Sequence, residues 1–218
     1  MQTNIKKICV LAMMSALAFI LAAYIRVPIV AAGPLVLRYD PKDIIIVIAG
    51  FIYGPMAAFI ITVVVSLVQM ITVSATGFVG LFMNIVASTA FCCTAALIYK
   101  KDRTMRGAII GLLVGATFAT AVMMAWNYIL TPIFMSMPRE RVVPLLIPVF
   151  LPFNLINNFL NAALTMLFYK HAMKILRVSR LLPQEDSGQK RLNVGIILAS
   201  AFIALTCVLW WLILQHII

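Results

Sequence analysis

The sequence predicts an all-α membrane protein: a bundle of six transmembrane helices with an extra seventh transmembrane helix at the C-terminal side. Three observations carry this. Of 218 residues, 64% are hydrophobic and 11% charged, where soluble domains carry about a quarter charged residues. The apolar residues fall in long runs, and a membrane span consumes about 20 of them. The 17 Lys and Arg residues, against 6 Asp and Glu, sit in short clusters between those runs, which reads as a topology signal and not as a nucleic-acid surface.

Helix 1 is expected over about 8–25, behind Lys6 and Lys7. The stretch from Ile8 to Tyr24 is long for a signal core, and no small-x-small cleavage site leads into a polar mature start. The next run, 44–75, is too long for one span. Gly54-Pro55 inside it is a turn dipeptide whose proline lacks an N–H, so it divides into helix 2 at about 41–53 and helix 3 at about 55–73. Helices 4, 5 and 6 are expected at about 78–99, 107–131 and 145–169, and helix 7 at about 192–214. Residues 1–178 then form the six-helix domain, 179–191 a polar cytoplasmic linker and 192–218 the additional helix.

Twelve of the 17 Lys and Arg residues lie on the side of the N-terminus and five (Arg26, Arg38, Lys42, Arg139, Arg141) on the other. The positive-inside rule therefore places the N-terminus in the cytoplasm and the C-terminus outside, in a multi-pass protein of the cell membrane.

The absences narrow the function. No GxxxxGK[ST] phosphate loop, no HExxH and no GxS nucleophile context occurs. Both histidines, His171 and His216, sit at helix ends. All six acidic residues lie in loops or at helix ends, so no span carries the central carboxylate on which ion-coupled carriers usually rely. Cys9, Cys92, Cys93 and Cys207 fall in apolar segments and read as buried thiols. The expectation is a protein that is not an enzyme and holds no metal or cofactor.

Two polar constellations remain. Leu37-Arg38-Tyr39-Asp40-Pro41-Lys42-Asp43 directly precedes helix 2. Asp40 suits an N-cap, Pro41 the first helical position and Asp43 the third, where a carboxylate meets the positive helix end. Asp40 is open both to this cap and to ligand contact, and the ring of Tyr39 suits stacking on a flat ligand in a loop, Arg26 to Tyr39, lying over a cavity.

Helix 6 carries Asn154, Asn157, Asn158 and Asn161 at i, i+3, i+4 and i+7, all on one face. An unpaired amide is costly in lipid, so this face must look into the bundle. The stripe admits two readings, interhelical hydrogen bonding or a ligand face. Asn127 on helix 5 and Asn84 on helix 4 extend it, with Asn127 and Asn154 at similar depth in the outer half. An amide offers acceptor and donors without charge, which suits a neutral heterocycle with alternating carbonyl and N–H groups. Carboxylate or phosphate ligands call for Arg or Lys instead.

These residues, taken in order, resemble the riboflavin-specific substrate-binding subunits, or S components, of energy-coupling-factor vitamin transporters. The resemblance rests on Ala12-Met13-Met14-Ser15-Ala16, Tyr39-Asp40-Pro41-Lys42-Asp43, Gly50-Phe51-Ile52-Tyr53-Gly54-Pro55, Thr76-Gly77-Phe78-Val79-Gly80 before Asn84, Asn127-Tyr128 before Pro132, and Leu151-Pro152-Phe153-Asn154-Leu155-Ile156. It implies a six-helix S-component bundle that binds riboflavin near the outer face. It also implies partners: a transmembrane coupling subunit, docked on Ala12 and Ala16, and two cytoplasmic ATPase subunits. The implied flavin-ring amides are Asn127 and Asn154. First-loop contacts would fall at Leu37, Tyr39 and Asp40, and further contacts at Met70, Gly80, Phe82, Asn84, Asn157 and Asn158. Two features depart from the family: Asn157 stands where a basic residue is frequent, and the C-terminal extension adds helix 7. Another neutral vitamin or flavin analogue, a stand-alone permease and a structural membrane protein are the competing functions.

Overall fold

The computed structural model describes residues 2–32, 35–74, 76–134, 138–178 and 194–217; the predicted linker, 179–191, lies outside them. Seven helices occur among the described residues. They are α1 (Gln2–Tyr24), α2 (Lys42–Tyr53), α3 (Pro55–Thr72), α4 (77–101), α5 (Met105–Phe134), α6 (139–178) and α7 (Val194–Ile217). Five contain apolar stretches long enough to cross a membrane: Ile5–Tyr24, Pro55–Thr72, Gly77–Lys101, Met105–Ile133 and Arg139–Tyr169. The expected count of six spans plus one is thus met by five on length and composition. At 12 residues, α2 is about 18 Å long, short of the about 30 Å hydrocarbon core. In α7 the apolar segment with described side chains is Ser200–Leu212.

The strict all-α expectation also misses a hairpin. The segment between α1 and α2 forms β1 (Pro28–Ala32) and β2 (Leu35–Arg38), antiparallel, with Pro28 opposite Arg38 and a register break between Pro28 and Val30. Its Ile-Val and Leu-Val-Leu content favours extended backbone.

The break between α2 and α3 falls at the predicted dipeptide. Gly54 adopts φ 93, its N–H donates to Gly50 O at 2.8 Å, and Pro55 opens α3. That left-handed φ is open to glycine without a Cβ penalty. Both α4 and α6 contain a π-helical turn, at Thr89–Cys93 and Leu146–Phe150. In α6 this turn lies among Pro144, Pro148 and Pro152; each proline removes a helical N–H and crowds the carbonyl four residues back, and a wider turn relieves the crowding. The helix consequently begins at 139, six residues before the expected start.

The core is built around α2, which packs on α1, α3, α4 and α6. Ile46, Val47 and Ile48 of α2 join Val10, Met14 and Ala18 of α1, Ile61 and Val65 of α3, Phe91 of α4 and Leu112 of α5. A short helix that is apolar on nearly all sides belongs at such a centre. Gly50 permits the approach: a Cβ there would lie 2.9 Å from that of Ala96 and 3.1 Å from that of Ala58. At one end of the bundle Phe51 stacks on Tyr99, whose hydroxyl bonds that of Tyr169, and Lys7 lies over the Tyr53 ring. At the other end Arg26 Nη1 donates to Val73 O at 3.0 Å beside the hairpin.

Candidate functional site

The chain leaving the hairpin does not return to the surface but turns into the bundle. Tyr39 N–H donates to Val27 O at 2.7 Å, closing the hairpin stem. The Tyr39 hydroxyl then donates to Asn161 Oδ1 at 2.7 Å, Asn161 Nδ2 donates to the Asp40 carbonyl at 3.0 Å, and the Asp40 N–H donates to Asn157 Oδ1 at 3.1 Å. Irregular backbone at membrane depth is tolerated where protein satisfies its polar groups. Here two side-chain amides of α6 do so for Asp40. This penetration is the physical reason that α2 is short: it starts within the bundle.

The Tyr39 side chain is buried, and its hydroxyl is satisfied by donating to Asn161. Its ring packs among Ile29, Val30, Val149 and Ile156.

The predicted cap is displaced by one residue: Pro41, not Asp40, takes the N-cap position of α2, and no side chain caps the helix from there. Asp40, just before it, still accepts the Lys42 N–H through Oδ1 at 3.3 Å, and Asp43 lies in the first turn. Lys42 is the surprise. Read from sequence as a charge at the outer face, it is only 2% exposed, and its ammonium pairs with Asp40 Oδ2. Asp43 is buried beside it, its Oδ1 without a hydrogen bond among the described residues. Cys92 Sγ lies 3.7 Å from the Asp43 carbonyl. A lysine next to a proline and two aspartates gives no local sign of burial; the pairing arises because the loop carries it inward.

The remaining amides divide by partner. Asn158 Nδ2 donates to Thr120 Oγ1 at 3.1 Å, joining α6 to α5. Asn154 Nδ2 donates to Phe150 O at 2.7 Å within its own helix, and Asn127 Oδ1 accepts from Thr131 Oγ1 at 3.3 Å within its own. Both are buried. With Thr120 opposite Asn158, Asn127 lies about 10 Å and Asn154 about 6 Å nearer the hairpin end along antiparallel helices, at 1.5 Å per residue. The two amides thus sit within about one helical turn of each other in depth, with polar atoms not spent on an interhelical bond.

On the α3–α4 side, Met70, Gly80 and Asn84 are half-buried and Phe82 is exposed. A Cβ on Gly80 would fall 1.9 Å from Thr76 Oγ1. Leu37 packs with the hairpin core. The structure therefore joins Asp40 to Asn157 and Tyr39 to Asn161, and places Asn158 on the α5 contact. Asn161, seen in the stripe but not carried into the predicted site, is the residue that ties the loop down; its i+7 place on that face was the available signal. A cleft of about 200 Å³ lined by Tyr53, Gly54, Lys100 and Arg103 lies at the opposite end.

On α1, Ala12 and Ala16 face outward with Met13 and Leu17, while Val10, Met14, Ala18 and Ala22 face the core. The cysteines are free; Cys92 and Cys207 are buried and Cys93 is half-buried, but Cys9, expected to be buried, is exposed on α1. His171 is exposed, and the side chain of His216 lies outside the described residues.

A bundle of membrane-crossing helices with a loop drawn in at one end and a face of buried amides defines a membrane-embedded transport component. The chain belongs to the substrate-specific components of ECF transporters: the family described as "ECF transporter, substrate-specific component" matches residues 6–169. It is therefore a transporter subunit and not an enzyme. Among relatives, the riboflavin transporter RibU of Staphylococcus aureus (strain TCH60) is 30% identical over 183 residues, 81% of this chain and 95% of that one. The riboflavin transporter FmnP of Bacillus subtilis (strain 168) is 33% identical over 129 residues, 58% of this chain and 67% of that one. A solved structure, described as the S component of a bacterial ECF transporter, superposes with a TM-score of 0.68 at 29% identity, covering 80% of this chain and 99% of that one. The α7 helix lies beyond the family match.

Proposed function

We propose that this chain is the riboflavin-binding S component of an ATP-driven uptake system. It captures riboflavin at the outer face of the cell membrane and hands it to a transmembrane coupling subunit served by two cytoplasmic ATPase subunits. The observation that carries the reading is that relatives matching most of this chain are named as riboflavin transporters. The buried amides support it chemically. Asn127 and Asn154 suit the alternating carbonyl and N–H edge of a flavin ring.

In this reading the loop residues Leu37, Tyr39 and Asp40 border the ligand, and Met70, Gly80 and Phe82 supply apolar contact. Asn84, Asn157 and Asn158 complete the polar lining, the last two while also fixing the loop and α5. The N-terminus is cytoplasmic, the hairpin end is outside, and α7 crosses the membrane to leave the C-terminus outside. Ala12 and Ala16 form the docking face, because small outward residues one turn apart let another helix approach closely. Riboflavin titration of the purified protein, with thiamine and biotin as competitors, tests the substrate. Saturation by riboflavin alone supports the reading, and displacement by another vitamin redirects it. Uptake by the chain without ATPase partners would point to a stand-alone permease.

A further inference from the structure

The α7 helix is not idle against the bundle. It packs along α6 and against β1. Trp211 Nε1–H donates to the Pro28 carbonyl at 2.8 Å, across 183 residues of sequence. Ile203, Cys207 and Trp211, spaced four apart and hence on one face, belong to one apolar cluster with Ile29, Val30 and Leu37 of the hairpin. A two-stranded hairpin is at best marginally stable alone. This one is held at two points: α6 fixes its C-terminal stem through Tyr39 and Asp40, and α7 fixes its first strand at Pro28. The grip falls beside the register break between Pro28 and Val30, where the ladder itself contributes least.

We propose that α7 is a clasp on the hairpin, with Trp211 as a positioning residue that holds β1 closed over the substrate end and slows escape of bound substrate. The retention part rests on the riboflavin reading above; the clasp itself does not. Opening the hairpin from its β1 side requires breaking the Trp211 contact, whereas the α6 side stays latched. The closed loop is thereby more populated than hairpin pairing alone provides, so both release of bound substrate and entry through the rare open state are slowed.

The test uses the full chain carrying Trp211→Phe, which keeps a ring and removes the N–H, with Cys207→Ala as a second variant thinning the same contact. Hydrogen exchange without ligand reads the clasp directly. Amides of 29–38 should exchange about three- to tenfold faster, as for loss of one hydrogen bond, with protection in α2 and α3 unchanged. Riboflavin dissociation should accelerate by a similar factor and association with it, so that the equilibrium affinity changes by less than about twofold. Unchanged hairpin exchange in both folded variants overturns the clasp. Faster exchange with unchanged dissociation overturns the retention role. Wild-type protein that binds no riboflavin removes retention together with the substrate reading, while exchange still decides the clasp.

Discussion

The side-chain amide of Asn161 donates to the main-chain carbonyl of Asp40 at 3.0 Å, 121 positions away in sequence. Its oxygen simultaneously accepts from Tyr39, so one residue of α6 satisfies a hydroxyl and a carbonyl that the loop carries into the bundle. Asn161→Ala leaves both unpaired at a cost of about 2–4 kcal/mol. Thermal unfolding of the ligand-free protein in detergent should drop by several degrees, since about 1 kcal/mol corresponds to about 2–4 °C at this size. A change under about 1 °C would show that the latch contributes nothing.

Lys42 presents a second stability prediction. It is the cation paired with the Asp40 carboxylate, and the buried Asp43 lies beside it. Lys42→Met strands those carboxylates, and breaking a buried pair typically costs about 3–5 kcal/mol. Folded yield and unfolding temperature should fall sharply, and adding Asp40→Asn should recover part of the loss. Equal behaviour of the single and double variants would mean that charge pairing is not the cause.

Outward placement of Ala12 and Ala16 separates binding from uptake. Neither contributes to the core, so Ala12→Trp or Ala16→Trp should leave riboflavin binding within about twofold of wild type while cutting cellular uptake by tenfold or more, through loss of close helix approach. Uptake at wild-type levels in both variants would place the docking face elsewhere.

What the sequence made legible was periodic or local. The helix order, the Gly54-Pro55 break, the place of Asp43 in the first turn of α2 and the amide stripe all follow from short-range patterns. What it hid was long-range. The partners of Asn157 and Asn161 lie in a loop more than 100 positions away, and only that loop's descent into the bundle separates latching amides from those with polar atoms to spare. Lys42 shares its surroundings with many interfacial lysines, so its burial left no mark. The hairpin was missed because its strands, Pro28–Ala32 and Leu35–Arg38, are too short for alternation to register. The expected start of α6 rested on its apolar run from 145, which gave no sign that the polar Arg139-Glu140-Arg141 turn before it joins the same helix, with Pro144, Pro148 and Pro152 absorbed around a π-helical turn.

The central claim is that this bundle binds riboflavin through its buried amides, and it is tested most directly by titrating riboflavin fluorescence into detergent-purified protein in wild type, Asn127→Ala and Asn154→Ala. Quenching that saturates at one flavin per chain, and weakens by about tenfold or more in each variant while unfolding temperature changes little, is the expected result, in line with about 1.4 kcal/mol or more per lost polar contact. No quenching by folded wild-type protein, or undiminished affinity in both variants, would contradict it.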